Sequence, residues 1–259
     1  MRGGPRRADD GAGLLAYALL VLLLGAVFWV AGPLLGVLTA WTRAELPASA
    51  LMAVCPALAA WIVAARQGTA AELAHRLRPV RTGWHWWATA VVVMPGVLAL
   101  EALAGGRAPW QGAAPAEVLL LCAVFLVPAL AEEIGWTGFA LPRLLRRTGP
   151  VTAGVLIGVL WSLWHVVPWL QLGHGGTWIL GQSLFSVALR VLLVALAVRS
   201  GAGLWPAVLA HASSNVAWAV SEGAGASYDP WVAASLTAGA AAVLARRLRT
   251  RPAPAASSP

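Results

Sequence analysis

The stretch Val118-Leu-Leu-Leu-Cys-Ala-Val-Phe-Leu-Val-Pro-Ala-Leu-Ala-Glu132-Glu133 decides how this chain folds. From Val118 to Ala131 it carries no charge, so it suits the hydrocarbon core of a bilayer, and its two adjacent acids are met at or near that depth. Ionisable side chains there are costly, and they mark sites. Two other apolar segments bring polar groups to similar depth: Trp161-Ser-Leu-Trp-His165, and Leu204-Trp-Pro-Ala-Val-Leu-Ala-His211-Ala-Ser-Ser-Asn215. An acid pair, two imidazoles and an amide make a candidate buried centre.

The composition agrees. With 59% hydrophobic and 11% charged residues in 259, and a mean hydropathy of +0.75, the chain is not an ordinary soluble domain. Apolar runs predict spans at Leu14–Leu35, Ala48–Ala65, Trp84–Ala104, Ala116–Glu133, Val151–Leu170, Trp178–Val198, Leu204–Val220 and Trp231–Ala245. The fold class is therefore all-α: a polytopic membrane bundle of about eight transmembrane helices, multi-pass in the cell membrane. The expected organisation is a cytoplasmic N-terminal tail over 1–13, one helical membrane domain over 14–246 with its motif core at 116–220, and a disordered C-terminal tail over 247–259.

All 18 basic residues other than histidine are arginine, and the net charge is +8. The arginines alternate with apolar runs instead of covering one surface, which argues against nucleic acid as a partner. With the N-terminus inside, nearly all of them fall in cytoplasmic loops, leaving only Arg43 and Arg107 outside and Arg190 within a span. Both termini are accordingly expected in the cytoplasm. A short amphipathic helix is expected in the loop Gln67–Thr82. Cys55 and Cys122 read as small buried hydrophobes, and the many tryptophans near span ends, Trp178 among them, as interfacial anchors. Glu101 and Glu117 read as snorkelling acids, and His75, His85 and His174 as solvated or interfacial rings.

His211 and Asn215 lie four residues apart and share a helix face. Glu132 and Glu133 diverge by about 100° around a helix, so one at most faces the same centre. A carboxylate beside imidazoles in a low-dielectric pocket can take a proton from water, and imidazole or amide donors can stabilise the oxyanion formed when that water attacks an amide. Each residue also has a plainer reading, as helix-to-helix glue for His and Asn, or a proton relay for the acids.

Three ordered segments, Glu132-Glu133-Ile-Gly-Trp-Thr137-Gly-Phe-Ala-Leu-Pro-Arg143, Trp161-Ser-Leu-Trp-His165, and Arg199 through His211 to Asn215, closely resemble the motifs of the CAAX-protease and bacteriocin-processing (Abi) family of intramembrane proteases. The resemblance implies a helical bundle whose site opens toward the bilayer, with Glu132 activating water and with Glu133, His165, His211 and Asn215 completing the catalytic set. The substrate implied is a membrane-associated peptide or protein. Both a metalloprotease and a metal-free glutamate mechanism stay open: Glu132, His165 and His211 match a catalytic zinc set, so zinc is an allowed cofactor, although no His-Glu-x-x-His helix is present.

One position departs from the family pattern Glu-Glu-x-x-x-Arg, since Thr137 stands where the arginine belongs. An arginine there would neutralise Glu133, and threonine carries no charge. Three expectations are open: another cation substitutes, for which the lone intramembrane Arg190 is the candidate; Glu133 is protonated; or catalysis is weakened and the chain is a membrane scaffold or immunity-type protein.

Overall fold

The computed structural model describes residues 5–35, 37–38, 46–110, 114–223 and 228–248. Arg2, Arg43 and residues 249–259 of the tail expected to be disordered fall outside these residues, whereas the start of that tail is helical, in a 3-10 turn over Arg246–Leu248.

Long apolar runs give helices almost throughout, with Pro33, Pro95, Pro128 and Pro168 carried inside them. Helix α1 spans Pro5–Leu35, followed by a two-residue antiparallel pair, β1 (Val37–Leu38) with β2 (Leu46–Pro47), and a 3-10 turn over Ala48–Val54. Then come α2 (Cys55–Arg66), α3 (Ala70–Arg76), α4 (Trp84–Ala104) and α5 (Pro115–Glu133). A π-helical stretch, Ile134–Ala140, carries α5 directly into α6 (Leu141–Leu145). The chain closes with α7 (Pro150–Gln171), α8 (Gly176–Ser200), α9 (Trp205–Gly223) and α10 (Pro230–Ala245). In the bundle α8 lies between α7 and α10, α9 lies between α4 and α5, and α1 runs along the 3-10 turn and α2.

The chain is a polytopic, multi-pass membrane protein. Among the described residues, six helical stretches are long and apolar enough to cross a bilayer: Asp10–Leu35, Ala48–Arg66, Trp84–Ala104, Pro115–Leu145, Pro150–Gln171 and Gly176–Ser200. The remaining two of the eight expected, α9 with its His211, Ser213, Ser214 and Asn215, and α10 with 16 residues, do not meet that measure.

Several expectations are corrected. The fourth span does not stop at Glu133; the π segment continues it to Leu145, so the two acids sit well inside a 31-residue apolar stretch. Residues 5–13 of the expected polar tail are helical, because α1 begins at Pro5 and Asp10 is buried against Arg146, which donates to its carboxylate through Nε at 2.5 Å. Glu101 does not snorkel: it is buried, paired with Arg107, and accepts from the Asp229 backbone N–H at 2.9 Å. Cys122 is exposed on the apolar exterior, whereas Cys55 is buried.

Packing between α7 and α8 depends on two glycines four residues apart. A methyl group added to Gly158 would sit 2.8 Å from the Val187 Cα and 3.1 Å from the Arg190 Cβ, and one on Gly154 would sit 2.9 Å from the Val191 Cα. The missing side chains let the helices approach closely, which is how helices associate where lipid removes the hydrophobic drive. The expected result for Gly158→Ala is a lower unfolding midpoint in detergent, reflecting about 1–3 kcal/mol of overpacking, with a loss of activity because Arg190 is displaced. An unchanged midpoint would mean that α8 yields freely.

Candidate active site

Helices α5, α7, α8 and α9 each deliver one part of a buried polar cluster. Glu133, at the end of α5, is fully buried. Nη1 of Arg190, on α8 and equally buried, donates to both of its oxygens at 2.7 and 2.8 Å. Nδ1 of His211, on α9, lies 3.0 Å from Oε1, and the Thr137 hydroxyl donates to Oε2 from the π segment. The position that lacks the family arginine therefore still touches Glu133 as a neutral donor, and the charge comes from another helix. The always-charged guanidinium counters the carboxylate in a setting where a lone charge would be prohibitive.

Glu132, one residue earlier, points the other way. It lines a cavity of about 440 Å³ together with His165, His211 and Asn215, whereas Glu133 does not. The divergence of adjacent helical residues thus divides the acid pair into one carboxylate at the cavity and one behind it.

Trp161 joins the two halves, and sequence reasoning passed over it as a motif letter. Its Nε1–H donates to Glu132 Oε2 at 2.6 Å. Its ring stands edge-on to His165 and His211, with centroids 5.3 and 5.2 Å away, and the Arg190 guanidinium lies over its face at 4.2 Å. The available signal was the spacing Trp161 to His165, which puts both on one side of α7.

The tautomers follow from the partners. Nδ1 of His165 lies 2.8 Å from the Trp161 carbonyl oxygen, which can only accept, so this nitrogen carries the hydrogen. Nδ1 of His211 faces a carboxylate held by arginine and carries its hydrogen for the same reason. In both rings Nε2 is the nitrogen left to serve the cavity.

The wider lining is aromatic, with Trp164, Trp169, Trp178, Trp218, Phe125 and Phe185 contributing. Trp178 is therefore part of the cavity wall as well as lying near a helix end, and His174 stacks on it at 3.6 Å. Burial there holds the His174 imidazole below its ordinary pKa.

The possible zinc set Glu132, His165 and His211 keeps Nε2 of both rings for the cavity, since each Nδ1 is held by a protein oxygen, and one Glu132 oxygen is held by Trp161. Among the described residues no three His, Cys, Asp or Glu side chains are grouped so as to hold a metal ion.

This geometry generates a mutational test. Removing Arg190 leaves a buried unpaired carboxylate, at a cost of about 3–5 kcal/mol. Arg190→Leu is expected to lower turnover at least a hundredfold, and adding Thr137→Arg should restore part of it, giving a strong coupling in a double-mutant cycle. Simple additivity would show that the charge on Glu133 is immaterial.

The chain is similar to known proteins over this region. Residues 114–217 match the family model for Rce1-like, type II CAAX prenyl endopeptidases. A stretch of 42 residues is 44% identical to CAAX prenyl protease 2 of Methanococcus maripaludis, an alignment that spans 16% of this chain and 16% of that protein. The segment 114–217, which contains every residue of the carboxylate and imidazole cluster, is thus the part of the chain that is similar to Rce1-like, type II CAAX prenyl endopeptidases.

Proposed function

We propose that this protein is an intramembrane endopeptidase that hydrolyses a peptide bond of a membrane-associated protein or peptide. The observation that carries the reading is the split of the acid pair: Glu132 at the cavity with His165, His211 and Asn215, and Glu133 behind it as the anchor of Arg190 and His211. In this reading Glu132 takes a proton from a water molecule whose oxygen bonds to the scissile carbonyl carbon. The C=O π pair moves onto the oxygen, and the Asn215 amide donates to the resulting oxyanion. His211 adds a second N–H there when its ring carries two protons. His165, through Nε2, holds the attacking water beside Glu132. Collapse reforms the carbonyl, breaks the C–N bond, and returns the proton from Glu132 to the leaving amine. The placement of Arg190 supports this reading over that of an inactive scaffold, whose ground was the missing arginine at Thr137.

Two measurements test it. In proteoliposomes with a library of membrane-anchored peptides, Glu132→Ala, His165→Ala, His211→Ala and Asn215→Ala should each lose most turnover and combine far from additively, as members of one centre do. Normal cleavage by Glu132→Ala would remove that residue from the role of base. On the metal-free glutamate reading, wild-type turnover should survive exhaustive chelation, and loss of activity that added zinc restores would point back to Glu132, His165 and His211 as ligands.

A further inference from the structure

Helix α1 lies outside the segment 114–217, yet it reaches both halves of the candidate centre. Asp10, Gly13, Tyr17, Val21, Gly25 and Gly32 form its buried face, while Leu15, Leu19, Leu23 and Val27 are 62%, 57%, 66% and 63% exposed on the apolar exterior. Tyr17 meets the π segment at three residues. Its ring stands edge-on to Trp136 with centroids 5.5 Å apart, and lies 5.0 Å from the ring of Phe139. Its hydroxyl takes the space beside Gly135, where a Cβ would collide with it and sit 2.6 Å from the Pro56 carbonyl oxygen. Two residues further on is Thr137, whose hydroxyl donates to Glu133.

The same contacts run on to the other half of the centre. Trp136 stands edge-on to Trp164 with centroids 6.1 Å apart, and Trp164 stands edge-on to His165 at 4.8 Å. Helix α1 meets Trp164 a second time at Gly25, where an added methyl would sit 2.5 Å from the indole Nε1. His165 is tied through Nδ1 to a carbonyl of its own helix, so the tilt of its ring is set by the rings around it: Trp161 and Trp164 edge-on, and Trp169 stacked at 5.7 Å. Among the described residues the Tyr17 hydroxyl and the indole N–H groups of Trp136 and Trp164 have no hydrogen-bond partner. Ring-edge attraction and close fit hold this series of rings together, and both are lost once a gap opens.

We infer that Tyr17 and Gly25 are positioning residues of the site, and that α1 braces it from outside the matched segment. Through Gly135, Trp136 and Phe139 the Tyr17 side chain holds the π segment so that Thr137 stays against Glu133. Through Trp136 and Trp164 the same helix sets the angle at which His165 presents Nε2 to the cavity. A glycine at 25 is what allows α1 to close on the Trp164 indole, since any side chain there would push the ring toward His165. What the positioned groups do rests on the peptidase reading; the brace itself rests on the ring geometry.

The test separates the two. In proteoliposomes with membrane-anchored peptides, Tyr17→Leu should lower kcat about tenfold and leave KM within about twofold, because a small misplacement of the reacting groups acts on the chemical step. Tyr17→Phe keeps the ring edge and gives up no hydrogen bond, so it should recover most of that loss. Gly25→Ala should lower kcat about fivefold, and the same methyl should cost less than about twofold in a Trp164→Phe background, where the N–H edge it meets is gone. Leu19→Ala, on the exposed side of α1, controls for a mere disturbance of the helix and should keep the wild-type rate. A second readout needs no turnover: carbethoxylation of His165 by diethyl pyrocarbonate, followed by mass spectrometry against the exposed His75 and His85, should run about threefold faster in Tyr17→Leu and in Gly25→Ala. Unchanged His165 reactivity in these variants overturns the brace, as does an equal cost of Gly25→Ala with and without the Trp164 indole. Should Tyr17→Leu not fold, the Gly25 variants carry the test. A wild type that cleaves none of the peptides overturns the peptidase reading alone, and His165 reactivity then decides the brace.

Discussion

A single buried ion pair, Arg190 on Glu133, is the constraint around which the rest of this bundle is arranged. Both groups are fully buried at the depth of an apolar span, where neither could remain charged alone. The pair joins α5 to α8, and His211 joins α9 to the same carboxylate. Three helices are thereby fixed in rotation. Removing one partner leaves the other exposed to a medium that cannot solvate it, so this cluster sets the register of the site more firmly than any apolar contact.

Other features are consequences of making that pair reachable. Arg190 runs along the α7 surface where Gly158 leaves room for its Cβ, and its guanidinium finishes over the Trp161 ring. Trp161 then spends its N–H on Glu132, so the positive charge behind the site and the carboxylate in front of it share one indole. The π segment after Glu133 places Thr137 within reach of the same carboxylate. Wide helical turns of this kind recur at functional positions because they redirect side chains without ending a helix. Thr137, at the motif's arginine position, and Arg190, on a distant part of the chain, therefore bond to the same carboxylate.

The cavity gains its character from the same arrangement. Indole and phenyl rings from α5, α7, α8 and α9 enclose it, and the polar atoms that face it are few and oriented by second partners. Such a space holds a small number of directed groups, and on the proposed reading that is the setting in which a carboxylate, two imidazoles and an amide would act on a polarised carbonyl.

Much of this was legible in the sequence. Hydropathy alone gave the all-helical membrane bundle, since an uninterrupted apolar run has few ways to satisfy its backbone in lipid. The spacing of His211 and Asn215, and the divergence of Glu132 from Glu133, followed from helical periodicity. The isolation of Arg190 within an apolar span was also plain, because an intramembrane cation demands a partner. Its partner, 57 residues away, was suggested by the motif position that Thr137 leaves uncharged, and the two do meet; what periodicity could not supply was the depth of the acid pair, which depended on a π segment that has no simple sequence pattern. Trp161 and His174 were invisible for a related reason: an aromatic residue in a membrane helix looks the same whether it faces lipid or a cavity. Burial of Glu101 likewise required the Asp229 backbone and Arg107 to arrive from other parts of the chain. The sequence determined which residues had to be inside and on which helical face; only tertiary packing decided which of them met, because contacts between helices depend on rotation and close approach that no single helix encodes.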